Sequence, residues 1–414
     1  MRTIGSKIYK KFLETESKAG IILIICVLIS ILVANSSIGQ YFNEFLNFKL
    51  GINTSGIDLK FTSLSWINDG LMAIFFLYVG LEIKREVVDG ELKSVKQASL
   101  PIIAAIGGML VPALLFALVN IGGVTAKGWG IPMATDIAFA IGILSVLGNR
   151  VPNSLKVFLT ALAIVDDLGA ILVIAVFYTS DLHFTYLLFA AGVFAFQMAL
   201  NYFGVKKLVF YIIPGMVLWY LIHHSGIHAT IAGVLTAIAV PATSEKRKHS
   251  PLEKLESLLS NPVSYIIMPL FALANTNIKF ESEMIKGLTN PLGLGILAGL
   301  FIGKPLGITL ASWVAIKLKL AKKPRAANWK QISGVAMLGG IGFTMSIFVS
   351  ILSFASPLFQ LEAKFSILLA SIISATAGYM FLNYLSKKQA PALVKEKAVK
   401  ENKAYNANDK LELA

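Results

Sequence analysis

Apolar stretches long enough to cross a lipid bilayer recur from one end of the chain to the other, and short polar segments separate them. A helix needs about 20 apolar residues to span the hydrocarbon core. The pattern therefore predicts an all-α polytopic membrane protein with about twelve transmembrane helices. The predicted spans cover residues 20–36, 67–83, 100–120, 126–147, 154–178, 183–202, 207–222, 226–242, 260–275, 292–316, 330–353 and 362–386.

Composition agrees with a membrane location. Hydrophobic residues make up 56% of the chain and charged residues 14%, and the mean hydropathy is +0.72. A soluble domain would carry about 25% charged residues, so lipid is expected to surround most of this chain. From Lys387 onward the sequence is polar, lysine-rich and without periodicity. We predict one transmembrane domain at 1–386 and a disordered, basic cytoplasmic tail at 387–414.

The positive charge predicts an orientation rather than a nucleic-acid partner. The formal net charge is +14, but the lysines and arginines lie in short loops between apolar spans and not on one face. They concentrate in alternate loops, on the same side as both termini. Because positively charged loops mark the cytoplasmic side, both termini are predicted to be cytoplasmic.

The first outer loop predicts a short β-hairpin. Residues 48–61 alternate apolar and polar positions on both sides of a polar turn at 53–56. An isolated two-stranded hairpin is only marginally stable in water, which indicates that it pairs with another element, such as the same hairpin of a second subunit. An ordinary extended loop is the alternative.

Four ionisable side chains lie where the bilayer makes charge costly. Asp136 lies in the fourth predicted span, Asp166 and Asp167 lie side by side in the fifth, and Lys304 lies in the tenth. A charge at mid-bilayer costs about 2.5–3.5 kcal/mol on insertion scales, and such residues usually mark a functional pathway. Neighbouring helical residues point about 100° apart. One aspartate can therefore pair with Lys304 while the other faces a pathway.

These groups suggest cation and proton chemistry. Carboxylate oxygens suit hard monovalent cations, and a buried carboxylate near a like charge also binds protons more tightly. Cation and proton would then compete for one site, and a site exposed alternately to each side of the membrane would exchange them. The alternative is that the aspartates only hydrogen-bond helices together.

Two predicted spans contain helix-weakening residues near the middle. The fourth has Gly128, Gly130 and Pro132 just before Thr135 and Asp136. The eleventh contains the segment Gly339-Gly340-Ile341-Gly342-Phe343-Thr344. Such residues interrupt the helical hydrogen bonds, so half-helix ends would meet at mid-membrane, with Asp136 near the N-terminal ends and Lys304 near the C-terminal ends. Glycines that serve only close helix packing are the alternative.

Each interrupted span is second in a trio (3-4-5 and 10-11-12), which suggests an inverted repeat.

At these motifs the sequence resembles the NhaA family of sodium/proton antiporters, which has inverted repeats. The motifs that carry the resemblance follow one another along nearly the whole chain before the tail. They are W-I-N-D-G-L-M-A-I-F-F-L-Y-V-G-L-E-I-K-R-E (66–86), A-T-D-I-A-F-A-I-G (134–142), the Asp166–Asp167 segment, S-G-I-H-A-T-I-A-G-V (225–234), P-L-F-A-L-A-N (269–275), G-K-P-L-G (303–307) and G-I-G-F-T-M-S-I-F (340–348).

The resemblance implies a bacterial inner-membrane exchanger that expels Na⁺ or Li⁺ and takes up H⁺, with a role in sodium and pH homeostasis. It implies that Asp167 is the principal cation and proton carboxylate and that Asp166 pairs with Lys304 and shares the site. Thr135 and Asp136 would lie at the crossing of the interrupted helices, with Gly342 and Thr344 of the eleventh span. The resemblance also implies a homodimer formed through the hairpin at 48–61.

The resemblance further implies that a cluster of charged residues on the cytoplasmic side regulates exchange in response to pH. The matching residues are Glu82, Arg85, Glu86 and Glu256, with His228 on the opposite side of the membrane. Ser257 and Ser260 stand where better-known members have histidines, so the activation pH is left open. Interfacial charges without a regulatory role are the alternative, since such residues are common at helix ends.

Other function classes fit the residues less well. A sodium-coupled solute symporter would share interrupted helices and a midplane site, but no polar cluster is left for an organic substrate. An intramembrane aspartyl protease would need its aspartates on separate helices, and a passive cation channel would not carry Lys304 at the same depth as its acidic groups. No soluble-enzyme motif appears, and no cofactor is predicted; Na⁺, Li⁺, H⁺ and lipid are the predicted partners.

Overall fold

A computed structural model describes residues 2–412 except 55–56, 91, 180–181, 243–249 and 281. The described chain is mostly helical. Its α-helices are α1 (Arg2–Ala34), α2 (Gly39–Asn47), α3 (Ser63–Ser65), α4 (Met72–Val88), α5 (Val95–Val119), α6 (Ile137–Val146), α7 (Asn153–Phe177), α8 (Phe184–Tyr202), α9 (Val209–Ser225), α10 (Ile231–Ala239), α11 (Pro251–Pro262), α12 (Met268–Asn275), α13 (Ser282–Gly287), α14 (Pro291–Leu297), α15 (Lys304–Lys317), α16 (Trp329–Gly339), α17 (Phe343–Ser353) and α18 (Pro357–Glu412).

Tighter and wider helical turns extend several of these helices. The 3₁₀-helices are Ala126–Met133 and Gly148–Arg150, and the π-helical segments are Trp66–Leu71, Val263–Ile267 and Ala298–Gly303. The π-helical segments continue directly into α4, α12 and α15. The last of them ends at Gly303, immediately before Lys304.

Within the described residues, eight helices are long and apolar enough to cross a membrane. The number rises to ten if two bent pairs, α1–α2 and α16–α17, each form one span. The sequence predicts about twelve because it counts 207–222 and 226–242 as separate spans. In the structure α9 has 17 residues, at the lower limit for a crossing, and α10 has 9, so neither is included among the ten.

The predicted hairpin is present. Strand β1 (Lys49–Leu50) pairs antiparallel with β4 (Phe61–Thr62), and β2 (Asn53–Thr54) pairs antiparallel with β3 (Ile57–Asp58). The turn at 55–56 lies outside the described residues. The indole N–H of Trp66 donates to the Leu50 carbonyl across 3.1 Å, which attaches the base of the hairpin to the start of the next span.

Helical structure stops in the two segments that carry helix-weakening residues. Between Met133 and α6, Ala134 and Asp136 are extended. Between α16 and α17 the chain bends by 46°. The two breaks touch, because the Asp136 backbone N–H donates to the Ile341 carbonyl across 2.7 Å.

Close packing of α5 and α15 brings Lys304 to these breaks. A Cβ atom added at Gly107 would lie 2.5 Å from the Gly307 carbonyl oxygen, and one added at Gly307 would lie 2.1 Å from the Gly107 oxygen. Glycine at both positions lets the two backbones touch, as small residues do in membrane helix pairs. The contact holds α15, with Lys304 at its first residue, against the helix next to the breaks.

Candidate functional site

Helix α7 carries both aspartates of the predicted pair at its centre. Asp166 is fully buried and Asp167 is 2% exposed. Because they are neighbours on a helix, their side chains leave α7 in different directions.

Asp166 lies against a cation and a hydroxyl. Its Oδ2 is 2.8 Å from the Lys304 Nζ, and both side chains are completely buried. The Thr135 hydroxyl donates to the same oxygen across 2.7 Å and lies 3.0 Å from the Gly339 carbonyl oxygen. Lys304 also donates to the carbonyl of Met133, the last residue of the 3₁₀-helix. The lysine thus contacts one carboxylate and one C-terminal helix end.

Asp167 has different surroundings. Its Oδ1 is buried and has no hydrogen-bond partner among the described residues, and the same is true of the Asp166 Oδ1. Asp167 lines a cavity between α1, α4, the π-helical segment before α12 and the first turn of α6. The other side chains of this cavity are those of Ala19, Leu23, Phe75, Tyr78, Val79, Glu82, Asp136, Ile137, Ala138, Val263, Ser264, Met268 and Met345.

Asp136 joins the starts of two helices. It is the N-cap of α6, where its Oδ1 accepts the Phe139 backbone N–H across 3.1 Å. Its Oδ2 accepts the Thr344 backbone N–H across 3.1 Å and also the Thr344 hydroxyl. Two N-terminal helix ends, each with a partial positive charge, therefore face one carboxylate.

Gly342 leaves room at the second break. It precedes α17, and its carbonyl accepts the Ser346 backbone N–H across 2.9 Å. A Cβ atom at this position would lie 2.1 Å from the Ser346 Oγ. Glycine here leaves room for the Ser346 side chain in the first turn of α17.

The residues of the predicted pH cluster fall into two groups. Arg85 lies between two glutamates, with its Nη1 2.7 Å from the Glu86 Oε1 and its Nε 2.8 Å from the Glu256 Oε1. Glu82 is buried one turn earlier on α4 and lines the same cavity as Asp167.

His228 lies apart from that cluster, at the opposite end of α4. Its Nε2 is 3.4 Å from the Asp69 Oδ1, and its Nδ1 is 2.9 Å from the Thr230 hydroxyl. The structure therefore does not bring His228 together with Glu82, Arg85, Glu86 or Glu256.

Comparison with known proteins identifies the family. The family model described as Na⁺/H⁺ antiporter 1 matches residues 10–382. The Na⁺/H⁺ antiporter NhaA 2 of Flavobacterium johnsoniae is 57% identical over 94% of this chain and 95% of the relative. The Na⁺/H⁺ antiporter NhaA of Flavobacterium psychrophilum is 51% identical, over 92% and 97%. That of Escherichia coli O1:K1 / APEC is 48% identical, over 90% and 97%. The chain belongs to this Na⁺/H⁺ antiporter family.

Membership in the antiporter family agrees with the resemblance given by the motifs. The relatives are transporters rather than enzymes, as predicted. In the part of the chain that the structure describes, no group of three or more His, Cys, Asp or Glu side chains could hold a metal ion.

Asp69 and its surroundings are not among the site residues that the sequence predicts. The side chains of Asn68 and Asn275 exchange hydrogen bonds across 2.7 and 3.4 Å, and the Trp219 indole N–H lies 3.3 Å from the Asp69 carbonyl oxygen. The sequence feature that points to this region is the pair Asn68 and Asp69 at the start of the second predicted span. It lies within the 66–86 motif, which supports the family resemblance but is not assigned a function above. Their partners are about 150 or more residues away in sequence, and no local pattern predicts such contacts.

Proposed function

We propose that this chain exchanges cytoplasmic Na⁺ or Li⁺ for external H⁺ by alternating access, and that cation and proton compete for the Asp166/Asp167 site. The observation that carries the proposal is the setting of Asp167. Its buried carboxylate faces a cavity and retains an oxygen without a hydrogen-bond partner among the described residues, while the neighbouring Asp166 is held by Lys304.

Charge balance explains why competition would follow. The Lys304 ammonium offsets one negative charge of the aspartate pair, and the other remains to be neutralised in a region where charge is costly. A proton on Asp167 or a Na⁺ beside it would serve equally well. The free Oδ1 atoms of Asp166 and Asp167 are hard oxygen ligands of the kind that such a cation prefers. Because one site cannot hold both, binding of one releases the other.

We further infer that the fold has twelve spans arranged as an inverted repeat, with interrupted fourth and eleventh spans. The contact between the break before α6 and the break before α17 supports this inference. In that arrangement Thr135, Asp136, Gly342, Thr344 and Lys304 compensate the half-helix ends and keep the crossing intact. At the breaks, the backbone N–H groups of Asp136, Phe343 and Thr344 donate to protein acceptors, as irregular backbone at membrane depth requires.

Location and assembly follow from the same reasoning. We infer a bacterial inner-membrane protein with cytoplasmic termini that forms a homodimer through the hairpin at 48–61. Phe48, Leu50 and Ile52, at alternate positions of the hairpin, are each at least 45% exposed. Contact with a second hairpin would remove this apolar surface from water. The prediction of a disordered tail at 387–414 stays a prediction.

We also infer that pH regulates exchange through Glu82, Arg85, Glu86 and Glu256, with His228 acting from the other side. The ion pairs of Arg85 and the position of Glu82 on the Asp167 cavity support this role. Protonation of these carboxylates would change the local potential through which a cation reaches Asp167.

The test is exchange in everted membrane vesicles with a fluorescent reporter of the pH gradient. We expect Na⁺ and Li⁺ to collapse a respiration-generated gradient and K⁺ to leave it intact, with a rate that depends on pH. Vesicles without the protein are the control. If no cation collapses the gradient at any pH from mildly acidic to mildly alkaline, the antiport proposal is wrong.

A further inference from the structure

A cluster of aromatic side chains lies next to the cavity that reaches Asp167. Phe348 of α17 is 1% exposed, and its ring centre lies 5.4 Å from that of Phe76 and 6.2 Å from that of Phe271. We call Phe76, Phe271 and Phe348 the phenylalanine cluster. The His228 ring also packs edge-on against Phe348, with ring centres 5.3 Å apart.

Each member of the cluster lies one helical turn beyond a residue that lines the cavity. Val79 lines the cavity and Phe76 lies one turn earlier on α4, towards Asp69. Met268 lines the cavity and Phe271 lies one turn later on α12, towards Asn275.

On α17, Met345 lines the cavity and Phe348 again lies one turn further along. The cluster therefore lies between the cavity and the polar contacts of Asp69 with His228 and of Asn68 with Asn275.

The cluster also joins two groups of helices. Phe348 belongs to α17, whose first turn is bonded to Asp136 and so to the breaks and the aspartate site. Phe76 and Phe271 belong to α4 and α12, which line the opposite side of the cavity. Glu82, one turn from Arg85 on α4, lines the cavity between the two groups. One turn beyond the cavity, the Phe348 ring packs against both Phe76 and Phe271.

We propose that Phe348 is the outer hydrophobic gate of the transporter: its ring seals the path between the Asp167 cavity and the side of the membrane that carries the hairpin. This inference rests on the proposed alternating access. Opening to the outside requires Phe348 to separate from Phe76 and Phe271. Desolvated phenylalanine rings suit this role because they offer a hydrated cation no ligand, and their contacts can be broken without leaving a buried polar group unpaired.

The experiment measures access to the cavity from the hairpin side. Cys26 is the only cysteine of the chain, so Cys26→Ser with Met345→Cys gives a single reporter thiol on the cavity. Right-side-out vesicles are treated with a membrane-impermeant maleimide, and the labelling rate is measured. We expect slow labelling when Phe348 is present, and labelling several-fold faster with Phe348→Ala.

Phe354→Ala is the matched control. Phe354 directly follows α17 and is 5% exposed, but its one aromatic ring contact among the described residues is with Phe359 of α18. The Phe354→Ala substitution should therefore leave the labelling rate of the Met345→Cys reporter unchanged. Phe348→Leu fills part of the space and should give a smaller increase, which also tests the proposal if Phe348→Ala does not fold.

Two outcomes would overturn the gate: labelling that neither Phe348 variant accelerates, or labelling that Phe354→Ala accelerates equally. Exchange by the unaltered chain is measured separately. Failure of exchange with faster labelling in Phe348→Ala would reject the proposed function and retain a seal at Phe348, so the two failures are distinguishable.

Discussion

The two sides of α7 hold neighbouring carboxylates in contrasting settings. On one side, Asp166 has an ammonium group and a hydroxyl within 2.8 Å, and those partners tie it to the 3₁₀-helix and the end of α16. On the other side, Asp167 lines a cavity and keeps an oxygen without a partner among the described residues. Both are aspartates at the same depth, so residue type and burial do not distinguish them.

The difference lies in what each carboxylate would lose on binding a cation. At Asp166, a cation would compete with Lys304, and displacing that lysine would leave its charge buried and unpaired. At Asp167, a bound cation or proton would neutralise the negative charge that Lys304 does not offset. We infer that Asp167 carries the exchanged charge, whereas Asp166 holds Lys304 in place and contributes only its free Oδ1 to the cation site. Three predictions test this inference.

The largest effect is expected from Asp167→Asn. An amide neither carries a proton nor balances a cation, so we expect Na⁺-dependent collapse of the pH gradient in everted vesicles to fall by at least about a hundredfold. The melting temperature in detergent should stay the same or rise, because an uncompensated buried charge is removed. Asp167→Glu, which keeps the carboxylate, should retain measurable exchange. If Asp167→Asn exchanges Na⁺ normally, the assignment of Asp167 to the cation site is wrong.

The next effect is on stability and concerns the other side of α7. Lys304→Met or Asp166→Asn alone leaves one buried charge without its partner, at a cost of about 3–5 kcal/mol. We expect a lower melting temperature for each. The double variant Asp166→Asn/Lys304→Met removes both charges and should recover most of the loss, and this recovery is the control for general damage to packing. If the double variant melts as low as the single ones or lower, the pair does not have the structural role inferred here.

The smallest effect is expected at Glu82, which lines the cavity one turn from Arg85. Glu82→Gln removes a negative charge from the cavity that Asp167 lines, so the remaining carboxylates release protons more readily and attract cations less. We expect the midpoint of pH activation to move down by about half a pH unit and the apparent KM for Na⁺ to rise about twofold. Glu44→Gln, at an exposed position on α2, should change neither. If Glu82→Gln leaves the pH profile of exchange unchanged, Glu82 has no role in pH regulation.

Part of the site was predictable from the residues because a membrane tolerates few polar groups. Asp136, Asp166, Asp167 and Lys304 stand out in apolar spans, and the glycines and Pro132 mark where helices weaken. The same logic does not find Asp69 or Phe348. Asp69 lies at the end of a span, where charges are common, and a phenylalanine among apolar residues carries no distinguishing signal.

The sequence by itself determined that this is a helical membrane protein with a short hairpin, and it placed ionisable groups inside three spans. Spans, turns and misplaced charges are local properties of the chain, and hydropathy and helix geometry are enough to predict them. Only the tertiary structure decided that Asp166 contacts Lys304, that Asp136 bonds to Thr344 across 208 positions, and that Phe348 packs against Phe76. These contacts depend on how α5, α7, α15 and α17 cross. Crossing is set by close packing among many side chains, and no single segment of sequence contains that information.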